Sequence, residues 1–361
     1  VTTDATQTIP VVTNPRHVGH RPKVEVQCGR PIPAFDTVAR MKAVEDALAS
    51  HPGVEFLPPQ EDPALGSVIR RVHDADLVDF LARAWEDLPA PDDDFELVFA
   101  DTFLHPGLHA PGTTPITPEH PGAFGKYCFD TITGIGPDTY DSAIGSVAAV
   151  ITAAGHTLAG SPLTLALSRP PGHHSSADAF GGGTYLNNVA IGAQWLRDQG
   201  AAKVAIVDVD FHHGNGTQAI FYDRADVFFT SLHGHPQRCF PFYTGYANET
   251  GTGAGLGATM NIPLPEGVQG PDYLIGLDQA LTAVAAQTPD IIMVSLGFDT
   301  YRTDPAGDAQ LTTEDYFAVG QAMREVGIPL LAILEGGYSV DDLGANIYAW
   351  VNGAAGGTSP S

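Results

Sequence analysis

Beyond residue 140 the apolar positions alternate between two patterns. Short apolar runs rich in β-branched residues, at Leu163–Leu167, 204–207, 227–230, 291–295 and Leu330–Leu334, read as buried strands. Around them, apolar residues recur every three or four positions and predict helices at 141–158, 189–199, 272–286 and 313–326. Upstream, Val38, Met41, Val44 and Leu48 share a face of a helix over 37–50, and Leu77, Phe80, Leu81 and Trp85 share one over 74–88. Val54–Leu57 reads as a further strand, and residues 1–35 as irregular. Strands alternating with helices predict an α/β fold with a mostly parallel sheet covered on both faces. The chain is read as one catalytic domain over 1–361.

Two stretches break the pattern. Between 89 and 125 prolines, glycines and histidines crowd in and periodicity is lost. A loop this long within a compact chain is usually functional or disordered. Its aromatics and histidines (Phe95, Phe99, Phe103, His105, His109 and His120) predict a docked insertion. The glycine-rich segment 251–257 precedes an extended segment rather than opening a helix, so it is no phosphate loop and reads as a turn at the rim of a site.

Composition narrows the class. With 361 residues and 43% hydrophobic content, a large core can form. No apolar run approaches the length of a membrane span. The three cysteines are widely spaced and form neither a disulfide framework nor a CxxC site. No secretory signal is visible, so a cytoplasmic location is expected. A net charge of −25 argues against nucleic acid and anionic membranes, and suits a cationic substrate.

The candidate chemistry sits where the strands end. Arg169–His174 follows the first of the five runs, Asp208, Asp210, His212 and His213 the second, and Ser231–Gly234 the third. Asp299 follows the fourth, and Glu335-Gly336-Gly337-Tyr338 the fifth. In open parallel α/β sheets, sites form outside the carboxyl ends of the strands. Asp210, His212 and Asp299 supply two carboxylates and an imidazole, three ligands with open positions left, as a catalytic zinc requires. His173 and His174 are placed to move protons of a water that the metal activates, and Tyr338 to donate to an oxyanion. That set suits amide hydrolysis. The same donors would also accept ferrous iron.

RPPGHH (169–174), DVDFHHGNGT (208–217), SLHG (231–234), SLGFDT (295–300) and EGGY (335–338) occur in the order of the zinc-dependent histone deacetylase superfamily, which the chain resembles over nearly its whole length. FGG at 180–182, LNN at 186–188 and the insertion before Gly125 are most similar to acetylpolyamine amidohydrolases. The resemblance implies the arginase-like α/β/α fold and one Zn2+ per chain on Asp210, His212 and Asp299. It implies His174 as general base and acid, His173 as its electrostatic partner with Asp208 behind it, and Tyr338 as the catalytic tyrosine. Asn215 stands behind His174, where many relatives carry Asp. Asp208, Ser231 and the backbones of Asp210, His212 and Leu232 match a structural monovalent-cation site, K+ in type. The insertion is expected to shape the channel mouth and a homodimer contact.

The departures concern substrate. Relatives carry an aromatic channel wall where this chain has Gly183, after Gly182, while Phe240 keeps the opposite wall; a wider channel is expected. The acids that meet a polyamine's distant ammonium align with Pro121 and Ile132, and Glu119 and Asp130 are the neighbours that would have to replace them. The leading expectation is therefore deacetylation of small cationic acetylated amines. The alternatives are a protein acetyl-lysine deacetylase, a deacylase of a bulkier amide, an arginase-like binuclear manganese hydrolase, and a non-enzymatic acyl-amine sensor.

Overall fold

The computed structural model describes residues 8–60, 62–88, 97–105, 107–108 and 116–358. In chain order the strands are β1 (Ile9–Thr13), β2 (Val24–Gln27), β3 (Arg30–Pro33), β4 (Val54–Leu57), β5 (Leu163–Leu167), β6 (Val204–Asp208), β7 (Val227–Gly234), β8 (Thr259–Leu264), β9 (Ile291–Leu296) and β10 (Leu330–Leu334). The helices are α1 (Val38–Ala49), α2 (Leu65–Val72), α3 (Ala75–Asp87), α4 (Ala123–Tyr127), α5 (Thr139–Leu158), α6 (Asn188–Asp198), α7 (Asn215–Phe221), α8 (Gly270–Gln287), α9 (Thr313–Glu325) and α10 (Val340–Ala354). Eight strands form one sheet in the order β4-β1-β5-β10-β9-β6-β7-β8, and β2 and β3 form a separate hairpin. Every pairing within the large sheet is parallel.

The continuous apolar runs have a direct cause. Successive side chains point to opposite faces, and both faces are covered. On β6, Val204 and Ile206 join Val68, Leu77, Val147 and Val189 of α2, α3, α5 and α6 in one core. Ala205 and Val207 join Met41, Leu277, Val319 and Trp350 of α1, α8, α9 and α10 in the other. The result is a three-layer α/β/α domain. Among the described residues no helix is long and apolar enough to cross a membrane.

Several expectations change. Of the stretch 1–35, expected to be irregular, residues 1–7 lie outside the described residues and the rest is not irregular: β1 lies inside the sheet, between β4 and β5. Pro10 obscured it, because proline cannot donate to a ladder. Its neighbour β5 pairs only from Val11 onward, so that side of Pro10 demands no donor from it. Helices α2, α7 and α10 were also unforeseen. β7 continues through Ser231–Gly234, so the SLHG motif is strand rather than the loop after it. Residues 251–257 pack on the chain at Tyr222 and Arg224; a Cβ on Gly255 would lie 2.6 Å from the Tyr222 carbonyl oxygen. They do not line the cleft described below.

Of the expected insertion, residues 89–96, 106 and 109–115, with Phe95 and His109, lie outside the described residues. Beyond them, residues 123–125 are buried, whereas His105 and His120 are exposed. Phe124 and Tyr127 of α4 stack around Phe80 of α3 at 5.8 and 5.2 Å between ring centroids.

Candidate active site

The strand order explains the site. β5, β10, β9, β6 and β7 are consecutive in the sheet, so their carboxyl ends bring the five polar segments into one row. The segments after β5, β6 and β10 line a cleft of about 880 Å³, with Asp299 buried beneath it. His173, His174, Asp210, His212, Asn215 and Tyr338 line it, as do Gly182, Gly183 and Phe240.

Asp210, His212 and Asp299 present ligand atoms within 4.8 Å of one another. Nδ1 of His212 lies 2.9 Å from Oδ2 of Asp299 and 3.4 Å from Oδ1 of Asp210. Backbone amides aim both carboxylates: Phe211 N–H donates to Asp299 Oδ1 at 2.7 Å, and Gly336 N–H to Asp210 Oδ2 at 2.8 Å. Burial and then the Asp210 charge push the Asp299 carboxyl above its ordinary range. Burial disfavours the charged imidazole of His212, yet the two carboxylates hold it well above its ordinary value. Two buried acids converging on one imidazole, with no Lys or Arg between them, form a donor set that fits a divalent cation.

The histidine pair is split by its surroundings. The rings of His173 and His174 lie 4.0 Å apart. His173 Nδ1 meets Asp208 Oδ2 at 3.0 Å, and its Nε2 lies 3.8 Å from Asp210 Oδ1. Burial acts to lower its pKa, but Asp210 and Asp208 raise it to about 10. His174 Nδ1 instead meets a neutral group, Asn215 Oδ1, at 2.7 Å. Burial, then the adjacent His173 and His212, hold its pKa well below the ordinary value. The surroundings thus favour the protonated form of His173 and the neutral form of His174, whose Nε2 is left for the cleft. Gly182 permits this closeness: its φ is +61°, and a Cβ there would collide with the His174 ring.

Asp208 Oδ1 accepts from Asp210 N–H at 3.1 Å. Across the sheet Asp208 is the register partner of Ser231, beside the buried Leu232. The Tyr338 ring packs on Phe35 at 5.8 Å, with the Arg40 guanidinium 4.8 Å from its centroid. Burial pushes the phenol well above 10, so it remains a proton donor at neutral pH.

A family model for the histone deacetylase domain matches residues 35–354. The chain belongs to the histone deacetylase family. It is 40% identical to the acetylpolyamine amidohydrolase of Mycoplana ramosa over 347 residues, covering 96% of this chain and 99% of that protein. It is also 40% identical to acetylpolyamine amidohydrolase 1 of Pseudomonas aeruginosa, over 91% of this chain and 94% of that one. The crystal structure of an acetylpolyamine aminohydrolase from Burkholderia pseudomallei superposes with a TM-score of 0.89 at 31% identity, covering 96% of this chain and 98% of that one.

Within this histone deacetylase fold, sequence reasoning left several site residues unassigned. Arg40 donates to the carbonyls of Gly337 and Glu335, both at 2.6 Å, and so holds the turn that carries Tyr338. Asp304 Oδ2 accepts from the N–H groups of Tyr338 and Ser339 at 2.6 and 3.0 Å. Glu335 Oε2 accepts from Gly172 N–H at 2.7 Å, tying the loops after β5 and β10 together. Asp36, just before the N-cap of α1, pairs with Arg40 in its first turn at 2.6 Å.

The stand-in acids fare differently from expectation. Glu119 lies 3.7 Å from Arg83 and does not line the cleft. Asp130 does line it, but its oxygens accept from the N–H groups of Gly182, Ile132 and Thr133. Nor does Phe240 stand alone opposite an open wall, because Phe129 faces it at 6.3 Å between ring centroids.

Proposed function

We propose that this chain hydrolyses the acetyl amide of small cationic acetylated amines such as acetylpolyamines, with Asp210, His212 and Asp299 holding one Zn2+. The observation that carries the reading is the convergence of three things on one cleft floor: the donor trio, a split histidine pair and a protonated tyrosine. The names of the relatives support it. Bound at the trio, Zn2+ supplies Lewis acidity toward the amide carbonyl and toward water. Neutral His174 takes the proton from the attacking water at Nε2 and returns it to the leaving amine nitrogen. His173, whose charged form the Asp208 carboxylate favours, is the poorer acceptor for that proton and keeps positive charge beside the developing oxyanion. Tyr338 donates its hydroxyl to that oxyanion. Asp208 and Ser231, with the backbones of Asp210, His212 and Leu232, form the proposed K+ site that steadies the β6 loop.

Charge bookkeeping in the cleft selects the acid for the distant ammonium. Asp36 is held by Arg40 and Arg169, and Asp308 by Arg238. Asp130 is consumed by backbone donors. Glu25 lines the same cleft, and among the described residues its carboxylate meets only neutral donors, Gln27 Nε2 at 2.5 Å and Phe35 N–H at 3.4 Å. Burial raises its pKa. Glu25, on the β2–β3 hairpin, replaces Glu119 and Asp130 in the proposal.

The test is acetate release by the zinc-loaded protein from acetylputrescine, acetylspermidine, acetylcadaverine and an acetyl-lysine peptide. Turnover of the small amines, abolished by chelation and restored by added Zn2+, is the expected result. Turnover of the peptide alone would move the substrate class to proteins. Turnover of nothing by metal-loaded protein would overturn the reading. Gly182→Ala is expected to lower kcat/KM about 10²-fold, since displacing a catalytic group by ~1 Å costs that much. A Gly182→Ala protein with full activity would mean that the position of His174 is not critical.

A further inference from the structure

Phe129 is an apolar ring left 38% exposed at the cleft. Its backbone is pinned, not loose. Phe129 N–H donates to the Phe180 carbonyl at 3.1 Å, and Phe180 N–H to the Tyr127 carbonyl at 2.7 Å. Gly183 N–H donates to Thr133 Oγ1 at 2.8 Å, so the glycine loop and the 128–133 segment are tied together. Gly181 makes room for the ring, since a Cβ there would collide with it. Across the cleft stands Phe240, with the two ring planes inclined by 24°. Phe240 is edge-on to His174 at 5.0 Å and lies 6.3 Å from His212. Gly183, alongside, leaves open space: a Cβ there meets nothing within 4 Å.

We infer that Phe129 is a specificity-determining residue, which with Phe240 forms the two aromatic faces that hold the apolar chain of the substrate, supplying the wall that Gly183 leaves open. The inference rests on the acyl-amine reading above. An aliphatic chain between two ring faces needs a carbon–carbon contact of about 3.5–4.0 Å on each side, so roughly 7–8 Å in all. The ring centroids stand 6.3 Å apart, an upper bound on the gap between the faces, so the rings must part by at least about 1 Å. Phe240 is wedged against His174, His212 and Phe242, whereas Phe129 is partly open to solvent. Phe129 is therefore the ring that yields. An unbranched methylene chain fits such a slot; a branched one requires a larger opening.

The experiment uses the zinc-loaded protein with wild-type, Phe129→Ala and Phe129→Leu sequences. Calorimetry gives Kd for linear alkyl hydroxamates of increasing length, and acetate release gives KM and kcat for acetylcadaverine. In the wild type each added methylene should tighten binding about fourfold. Phe129→Ala should cut that increment below twofold and raise KM about tenfold with a smaller change in kcat, and Phe129→Leu should restore most of both. Equal increments in wild type and Phe129→Ala, or none in the wild type, overturn the inference whether or not amides are hydrolysed. A wild-type increment lost in Phe129→Ala, without any deacetylation, keeps the wall and overturns the amidohydrolase reading. Should Phe129→Ala not fold, Phe129→Trp reports directly: hydroxamate binding should shift its added emission, and an unchanged spectrum counts against the wall.

Discussion

Tyr338→Phe is expected to lower kcat by about 10²–10³-fold, the loss typical of removing one oxyanion donor, with KM changed only a few-fold. The phenylalanine keeps the ring packing on Phe35 and the Arg40 guanidinium, so the fold and the cleft should persist. What disappears is one O–H. Because burial raises the phenol well above 10, that donor is present across the whole neutral range, and its loss should be equally severe from pH 6 to 9. Steady-state acetate release, with a urea midpoint as the folding control, reads both. A variant that keeps more than a tenth of kcat would remove Tyr338 from the oxyanion role. The donor trio and His174 would then have to carry the stabilisation without it.

The parts of this site that could be read from sequence are those whose chemistry is local. β5, β6, β9 and β10 are short apolar runs in strands covered on both faces, so their ends could be placed within about a residue. Whatever followed those ends had to converge, because neighbouring parallel strands finish on the same edge. That is why Asp210, His212 and Asp299 could be grouped although Asp299 lies 87 residues beyond His212. What could not be read was anything set by contacts with no periodic signature. Phe129 and Phe240 face each other through two irregular loops, and Phe240 and the missing side chain at Gly183 were visible but Phe129 was not. β1 was masked by Pro10. Asp304 supports Tyr338 from 34 residues away, and nothing in the intervening sequence marks it. Asp36 and Arg169 are further apart still, separated by 133 positions.

That last pair carries the largest expected effect on stability. Asp36→Asn is expected to destabilise the protein by roughly 3–5 kcal/mol, the cost of breaking a buried ion pair from one side. Asp36 Oδ1 accepts from Arg40 Nη1 at 2.6 Å and from Arg169 Nε at 2.9 Å, and both arginines have wholly buried side chains. An amide leaves two guanidinium charges facing one neutral oxygen. The wild-type pH dependence follows from the same cluster. Burial alone would push the Asp36 carboxyl up, but Arg169 and Arg40 more than reverse this and hold it at about 2, below the ordinary 3.8. A depressed carboxylate stabilises the fold above its unfolded pKa, so this contribution should fade as pH falls from about 4 to about 2. His17 and His20 act earlier. Burial first, with Asp36 opposing it and Arg169 adding to it, lowers both to about 4. The unfolded chain then binds their protons more readily, and stability should already fall between pH 6.5 and about 4. Asp36→Asn should abolish the lower window, and urea titrations at pH 7, 5 and 3 distinguish the two. Activity should fall as well. Arg40, released from Asp36, is the residue that holds the carbonyls of Glu335 and Gly337, and a looser turn lets the Tyr338 hydroxyl wander from the oxyanion. A variant that loses stability but keeps full kcat would show that Asp304 alone is enough to position the tyrosine.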